Sequence, residues 1–176
     1  MRAPATASSA YKWGATALFI ATAVILLALG FEYIGGYKPC PLCLQQRWAY
    51  YASIPLLFLC LVLLGAERPG LAALLFLLVA LFFLANAGLG VYHAGAEWKF
   101  WPGPDTCAPV GAPSFSSRGT GGVLGKLNTS HVIRCDEAQF RWLGLSFAGW
   151  NVVACLILFT ASLKAAFASN DRKTGL

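Results

Sequence analysis

Cys40-Pro41-Leu42-Cys43 is the part of this chain best suited to chemistry. Two intervening residues let a pair of sulfurs close a disulfide with little backbone adjustment. A thiolate in such a pair can be stabilised locally, and its partner is always within reach. The motif stands where one hydrophobic stretch ends and another begins. Electrons could therefore pass between water-soluble proteins on one side and a lipid-soluble carrier on the other. Arg47 lies four residues beyond Cys43. If a helix begins near Cys43, the two side chains share a face. Cys43 then sits at a helix N-terminus, where the dipole favours a thiolate. Arg47 adds a fixed positive charge and N–H donors that suit a carrier's carbonyl, or it anchors the helix end at the headgroups. Gln45 and Gln46 are either polar helix-start residues or secondary donors. Trp48, Tyr50 and Tyr51 read as interface anchors.

The elements that must position these residues are membrane helices. The 176 residues are 58% hydrophobic and 11% charged, against about 25% charged in soluble domains. Hydrophobic segments cover about residues 13–31, 48–64, 71–91 and 143–167. Each can cross a hydrocarbon core roughly 30 Å thick as a helix. Backbone satisfaction in lipid favours helices over strands. The expected fold class is thus an all-α membrane protein, a four-transmembrane-helix bundle forming one integral domain over residues 1–176. The first segment lacks a small-residue cleavage site and runs on into Glu32, so it does not read as a signal peptide.

Four crossings put the loops at about 35–47 and 92–142 on one side and both termini on the other. The basic residues do not orient the bundle, because the two sides carry nearly equal numbers. The cysteines do. Of six, Cys40, Cys43, Cys107 and Cys135 fall in the two same-side loops. Paired cysteines there imply an oxidising compartment, which in a bacterium is the periplasm, with cytoplasmic termini. Cys60 and Cys155 lie inside segments two and four and read as small packing residues. The net charge of +6 suits a membrane surface. No basic stripe with interleaved aromatics points to nucleic acid.

In the long loop, Trp98, Phe100 and Trp101 fit an interfacial aromatic belt. Pro102-Gly103-Pro104 breaks any helix before Cys107. Residues 108–122 have the composition of a surface linker, and 123–127 fit a short interfacial helix. The stretch from Arg118 to Lys126 fails the phosphate-loop pattern.

Lys38-Pro39-Cys40-Pro41-Leu42-Cys43 with Gln46-Arg47 resembles the first periplasmic loop of the DsbB disulfide-bond-formation family. So does Tyr92-His93-Ala94-Gly95 leading through Trp101-Pro102-Gly103-Pro104 to Cys107. Cys135-Asp136-Glu137, then Leu143-Gly144-Leu145-Ser146 and Trp150-Asn151, is similar to that family's entry into its fourth span. The resemblance implies an inner-membrane, quinone-reducing protein-disulfide oxidoreductase. A reduced DsbA-like periplasmic thiol oxidase would attack a Cys107–Cys135 disulfide at Cys107. Cys135 would attack the Cys40–Cys43 disulfide at Cys40, leaving Cys43 as the thiolate facing the quinone. Ubiquinone or menaquinone would take the electrons, with Arg47 and His93 near the headgroup. His93 reads equally as a structural histidine. Glu32 and Glu97 are proton-handling groups or polar helix ends, and Ser146, Trp150 and Asn151 read as packing.

Other classes remain open. A family branch could serve a dedicated partner, or the chain could be a non-catalytic membrane scaffold stapled by loop disulfides. No metal site is expected. There is one close CxxC, and the 28-residue separation of Cys107 from Cys135 is poor for a zinc ribbon, even with His93 or His131 nearby. The orientation predicts that a membrane-impermeant thiol reagent, applied to reduced intact cells, labels Cys40, Cys43, Cys107 and Cys135. Labelling only after lysis would overturn it.

Overall fold

The computed structural model describes residues 5–103 and 140–174. Cys107, Cys135, the linker at 108–122 and the short helix expected at 123–127 lie outside the described residues. The chain forms helices α1 (Ala5–Tyr33), α2 (Pro41–Gly65), α3 (Pro69–Glu97) and α4 (Phe147–Thr174). A two-stranded hairpin, β1 (Arg141–Trp142) and β2 (Leu145–Ser146), precedes α4. Each helix carries a stretch long and apolar enough to cross a membrane: Ser9–Tyr33, Pro41–Gly65, Pro69–Glu97 and Phe147–Asp171. The chain is a multi-pass membrane protein with the expected four-helix architecture.

The helices run beyond the hydrophobic segments at one end of the bundle. α2 starts at Pro41, seven residues before the apolar run, because local capping starts it. Pro41 at the first helical position has no N–H to leave unsatisfied, and Cys40 caps the turn with its sulfur. Gln45, Gln46 and Arg47 are thereby helical residues. α3 likewise continues to Glu97, so His93 and Glu97 project from a helix rather than a loop. α4 begins later than its apolar segment, at Phe147, because Leu143 (φ 53) and Gly144 (φ 82) form the turn of the hairpin. Two positive φ values in succession match the twist of a tight antiparallel hairpin. At the end of α1, Ile34 and Gly35 N–H groups both donate to the Gly30 carbonyl, and Gly36 (φ 72) turns the chain.

Each helix packs on two others, in the cyclic order α1, α2, α3, α4, with the α3–α4 contact the most extensive. The centre is filled by Leu57, Phe76, Val79, Phe83 and Leu158, all fully buried. Ala17, Ala21, Ala161 and Ala165 are buried in the same core, where their small side chains allow helices to approach closely. In lipid such close packing replaces the hydrophobic drive between helices. Large apolar side chains such as Phe19, Leu26, Phe58 and Leu74 point outward instead. Pro55 within α2 deprives the Tyr51 carbonyl of its usual donor, a defect tolerated where neighbouring helices re-satisfy the backbone.

Gly90 sits where α3 meets α4. A Cβ there would lie 2.8 Å from Val152 Cγ2, whereas a Cβ at Gly88 would meet nothing within 4 Å. Gly90→Ala should therefore lower the unfolding midpoint in detergent, by an overpacking cost of about 1–3 kcal/mol. Gly88→Ala should leave it unchanged or raise it, since alanine is the better helix former. Equal effects of the two changes would refute the close α3–α4 approach.

Candidate active site

The site lies at the end of the bundle where α1 and α3 finish and α2 and α4 begin. Cys40 has the extended backbone of a helix cap (φ −75, ψ 164), and its sulfur accepts the Cys43 N–H at 3.2 Å. Both cysteines are free thiols, their sulfurs 2.7 Å apart. The helix N-terminus therefore serves Cys40 directly, through an N–H aimed at its sulfur, while Cys43 contributes the donor. Cys43 stands in the first turn of the helix, as the spacing leads one to expect, while the capping N–H is aimed at Cys40.

α3 brings His93 to the pair. Its Nε2 lies 3.6 Å from Cys40 Sγ and 3.7 Å from Glu97 Oε1, one turn further along the same helix. His93 Nδ1 meets Gln46 Nε2 at 3.2 Å. Cys40 and His93 are both buried. These surroundings push the Cys40 thiol down from 9.0 to about 5. The main cause is the hydrogen bond from the Cys43 thiol. His93 adds a hydrogen bond and charge and the Cys43 backbone N–H adds a further bond, against an opposing effect of burial.

Arg47, one turn beyond Cys43, pairs through Nη1 with Glu32 Oε2 at the end of α1. The pair ties the start of α2 to the end of α1 at the rim of a cavity of about 640 Å³. Val24, Ile25, Ala28 and Phe31 of α1 form one wall, and Phe147, Ala148 and Ala154 of α4 another. Trp142 and Leu145 of the hairpin line it as well. An aromatic cluster of Phe31, Tyr37, Phe140 and Phe147 joins α1, the first loop and the start of α4. The polar side chains that reach the cavity include Glu32, Arg47, Gln46, His93, Glu97, Asn151 and the two cysteines. An apolar chamber of this size with a few convergent polar groups is the usual form of a small-molecule site.

Cys40, Cys43 and His93 each place a ligand atom within 4.8 Å of the others, the one such group among the described residues. Two thiolates on a tetrahedral zinc, with bonds of about 2.3 Å, stand about 3.8 Å apart. The 2.7 Å separation here suits sulfur–sulfur chemistry rather than an ion between them.

The structure thus brings together Cys40, Cys43, Arg47 and His93, four of the six residues singled out from sequence. Cys107 and Cys135 lie outside the described residues. Two other residues depart from the sequence expectation, and a third adds a contact to it. Asn151, expected to pack, donates through Nδ2 to Gln46 Oε1 at 3.0 Å. Tyr50, expected at the membrane interface, is buried and donates to Asn151 Oδ1 at 2.7 Å. Cys155 packs in the same apolar core as Cys60, as expected, and in addition accepts from Asn86 Nδ2 at 3.2 Å. A signal existed for these. Gln46 and Tyr50, and Asn151 and Cys155, stand four apart within helices, and polar groups inside a membrane segment face the bundle interior.

A part-buried dithiol at the capped start of a membrane helix, beside an apolar cavity, defines a membrane thiol–disulfide protein. A family model for disulfide bond formation protein DsbB matches residues 11–165. A relative named Disulfide bond formation protein B from Methylococcus capsulatus is 31% identical over 144 residues, covering 80% of this chain and 84% of its own. One of the same name from Hahella chejuensis is 32% identical over 148 residues, covering 81% and 85%. Another, from Xanthomonas campestris, is 29% identical over 168 residues, covering 89% and 93%. No solved structure gives a significant match. The chain belongs to the DsbB family of disulfide bond formation proteins.

The depressed Cys40 value sets a pH dependence. Thiolate, not thiol, is alkylated, so the rate follows the deprotonated fraction. Alkylation of Cys40 in the reduced protein should stay level from pH 8 to about pH 6 and halve near pH 5. An ordinary thiol, titrating near 8.5, would instead lose about tenfold per pH unit across that range. Peptide mapping after timed alkylation distinguishes the two.

Proposed function

We propose that this protein reoxidises a DsbA-like thiol oxidase by dithiol–disulfide exchange and delivers the electron pair to a membrane quinone, ubiquinone or menaquinone. The observation that carries the proposal is the Cys40–Cys43 pair at the wall of a large apolar cavity rimmed by Arg47 and His93. A scaffold stapled by disulfides has no need of such a chamber. The bundle lies in the bacterial inner membrane with its cysteine loops in the periplasm and its termini in the cytoplasm.

The exchange runs in two relays. The reduced partner's dithiol attacks a Cys107–Cys135 disulfide at Cys107 and leaves oxidised. Cys135, now a thiol, attacks the Cys40–Cys43 disulfide, and the outer pair re-forms its bond. Cys40 and Cys43 then hold two electrons and the associated protons. Closing their disulfide again requires a two-electron, two-proton acceptor, which would be a quinone held in the cavity.

The residues present fit a quinone. The walls are apolar enough for its ring and the first part of its tail, and the rim offers donors and a fixed positive charge. A bound quinone supplies a two-electron, two-proton acceptor. Arg47 would hold such a group by N–H donation to a carbonyl and would favour negative charge on it. Glu32 holds the guanidinium in place. Glu97, whose Oε2 is buried without a hydrogen-bond partner among the described residues, stands beside His93 where it can take up a proton. A strongly oxidising partner, near about −120 mV, needs an acceptor of higher potential than a glutathione pool, and each 30 mV contributes about 1.4 kcal/mol.

Purified protein should therefore reduce quinone when given a reduced DsbA-like protein, and no reduction would sink the reading. Arg47→Gln removes a charge-assisted hydrogen bond of about 1.5–3 kcal/mol, so the quinone KM should rise about 10- to 150-fold. Arg47→Lys, which keeps charge but loses the planar fork, should fall between. The KM for the thiol oxidase should be unchanged. A quinone KM that ignores Arg47→Gln would make the arginine a helix anchor.

A further inference from the structure

A line of polar side chains, buried or half-buried, runs from the dithiol into the bundle. Tyr50 O–H donates to Asn151 Oδ1 at 2.7 Å, Asn151 Nδ2 to Gln46 Oε1 at 3.0 Å, and Gln46 Nε2 meets His93 Nδ1 at 3.2 Å. An amide nitrogen only donates. His93 Nδ1 is therefore the acceptor, and the ring's proton belongs on Nε2.

Both ends of the line agree with that polarity. At the outer end, Nε2 faces Cys40 Sγ at 3.6 Å and Glu97 Oε1 at 3.7 Å. A bare Nε2 would set its lone pair against a sulfur and a carboxylate oxygen. At the inner end, Asn151 receives the Tyr50 hydroxyl and, at 3.7 Å, the Cys155 thiol, which itself accepts from Asn86. The Asn151 atom facing two donors is its oxygen, so its nitrogen must face Gln46. Turning over either amide alone would set like atoms against each other between Gln46 and Asn151, and turning over both would put the proton on Nδ1 and leave Nε2 bare against Cys40 Sγ and the Glu97 carboxylate.

We propose that Gln46, oriented by Asn151 and Tyr50, is a positioning residue that locks His93 in the tautomer carrying its proton on Nε2, so that the ring always presents an N–H to Cys40. The role rests on the dithiol cycling proposed above, because a donor at Cys40 favours the thiolate form of the reduced pair. The opposite tautomer would offer Cys40 only a lone pair.

Nitrogen-15 NMR of histidine reads the tautomer directly. The chain has two histidines, so a His131→Asn background leaves His93 as the single signal source. In the full-length, reduced protein in detergent, at a pH where the ring is neutral, Nε2 should resonate as a protonated nitrogen and Nδ1 as a bare one. Gln46→Leu should draw the two signals together as the tautomers mix, and Gln46→Glu should move the proton toward Nδ1. Cys40 alkylation at pH 6 should fall about two- to fifteenfold in Gln46→Leu, because losing one charge-assisted hydrogen bond raises the thiol toward and past the assay pH. Tyr50→Phe, which removes one hydroxyl and keeps the ring, should shift the same signals in the same direction by less. It decides the matter if the Gln46 variants do not fold. A proton on Nδ1 in the parent protein, or signals unmoved by these changes, would overturn the proposal. The spectrum needs neither quinone nor partner, so its failure is separate from failure of the quinone reading.

Discussion

The hydrogen bond from Cys43 N–H to Cys40 Sγ organises this end of the molecule. The first turn of any helix has backbone donors without partners. Here one of them is given to a sulfur, and Pro41 removes another from consideration. The cap starts α2 seven residues before its apolar run. It thereby puts the dithiol on a rigid element at the edge of the membrane rather than on a loop. Rotation along that helix then sets the direction of each later side chain. Gln46 turns inward toward α3 and α4, while Arg47 turns toward α1 and meets Glu32. Without the cap these residues would have no fixed angular relation to the sulfurs.

The surrounding medium dictates the rest. Inside hydrocarbon a polar side chain must find a partner from another helix, so polar positions act as registration marks between helices. The line from His93 through Gln46 and Asn151 to Tyr50 ties α2, α3 and α4 together at one level. The Arg47–Glu32 pair ties α1 to α2. The apolar cavity survives between α1 and α4 because few polar groups line that side and the side chains there, such as Ala28, Ala148 and Ala154, are small. Chemistry and architecture thus share residues. Gln46 helps hold the bundle in register and faces the far nitrogen of His93.

Much of this was legible from the chain alone, for reasons that are local. Four apolar runs of spanning length require four helices, since no other structure satisfies the backbone of a single segment in lipid. Cys40 and Cys43 must be neighbours because two residues separate them, and Arg47 must lie one turn from Cys43 once both are helical. The motif around Cys40 and the sequence after His93 were sufficient to indicate the DsbB family. Helix ends were less legible. Hydropathy marks where the chain enters hydrocarbon, whereas capping decides where the helix starts, and in α2 those points differ by two turns.

Tertiary structure alone decided who faces whom. His93 stands 53 residues from Cys40, and Asn151 stands 105 from Gln46. Hydropathy reports the depth of a residue and says nothing of the neighbour across the gap. That neighbour is set by how the helices pack, through close approaches such as Gly90 against Val152. Arg47 shows the difference clearly. Spacing placed it near Cys43, but only the bundle supplied Glu32 as its partner. Likewise, spacing offered Cys43 to the helix dipole. The actual first turn gave the N–H to Cys40 because the cap residue, lying outside the helix, is the one whose side chain can reach back to it.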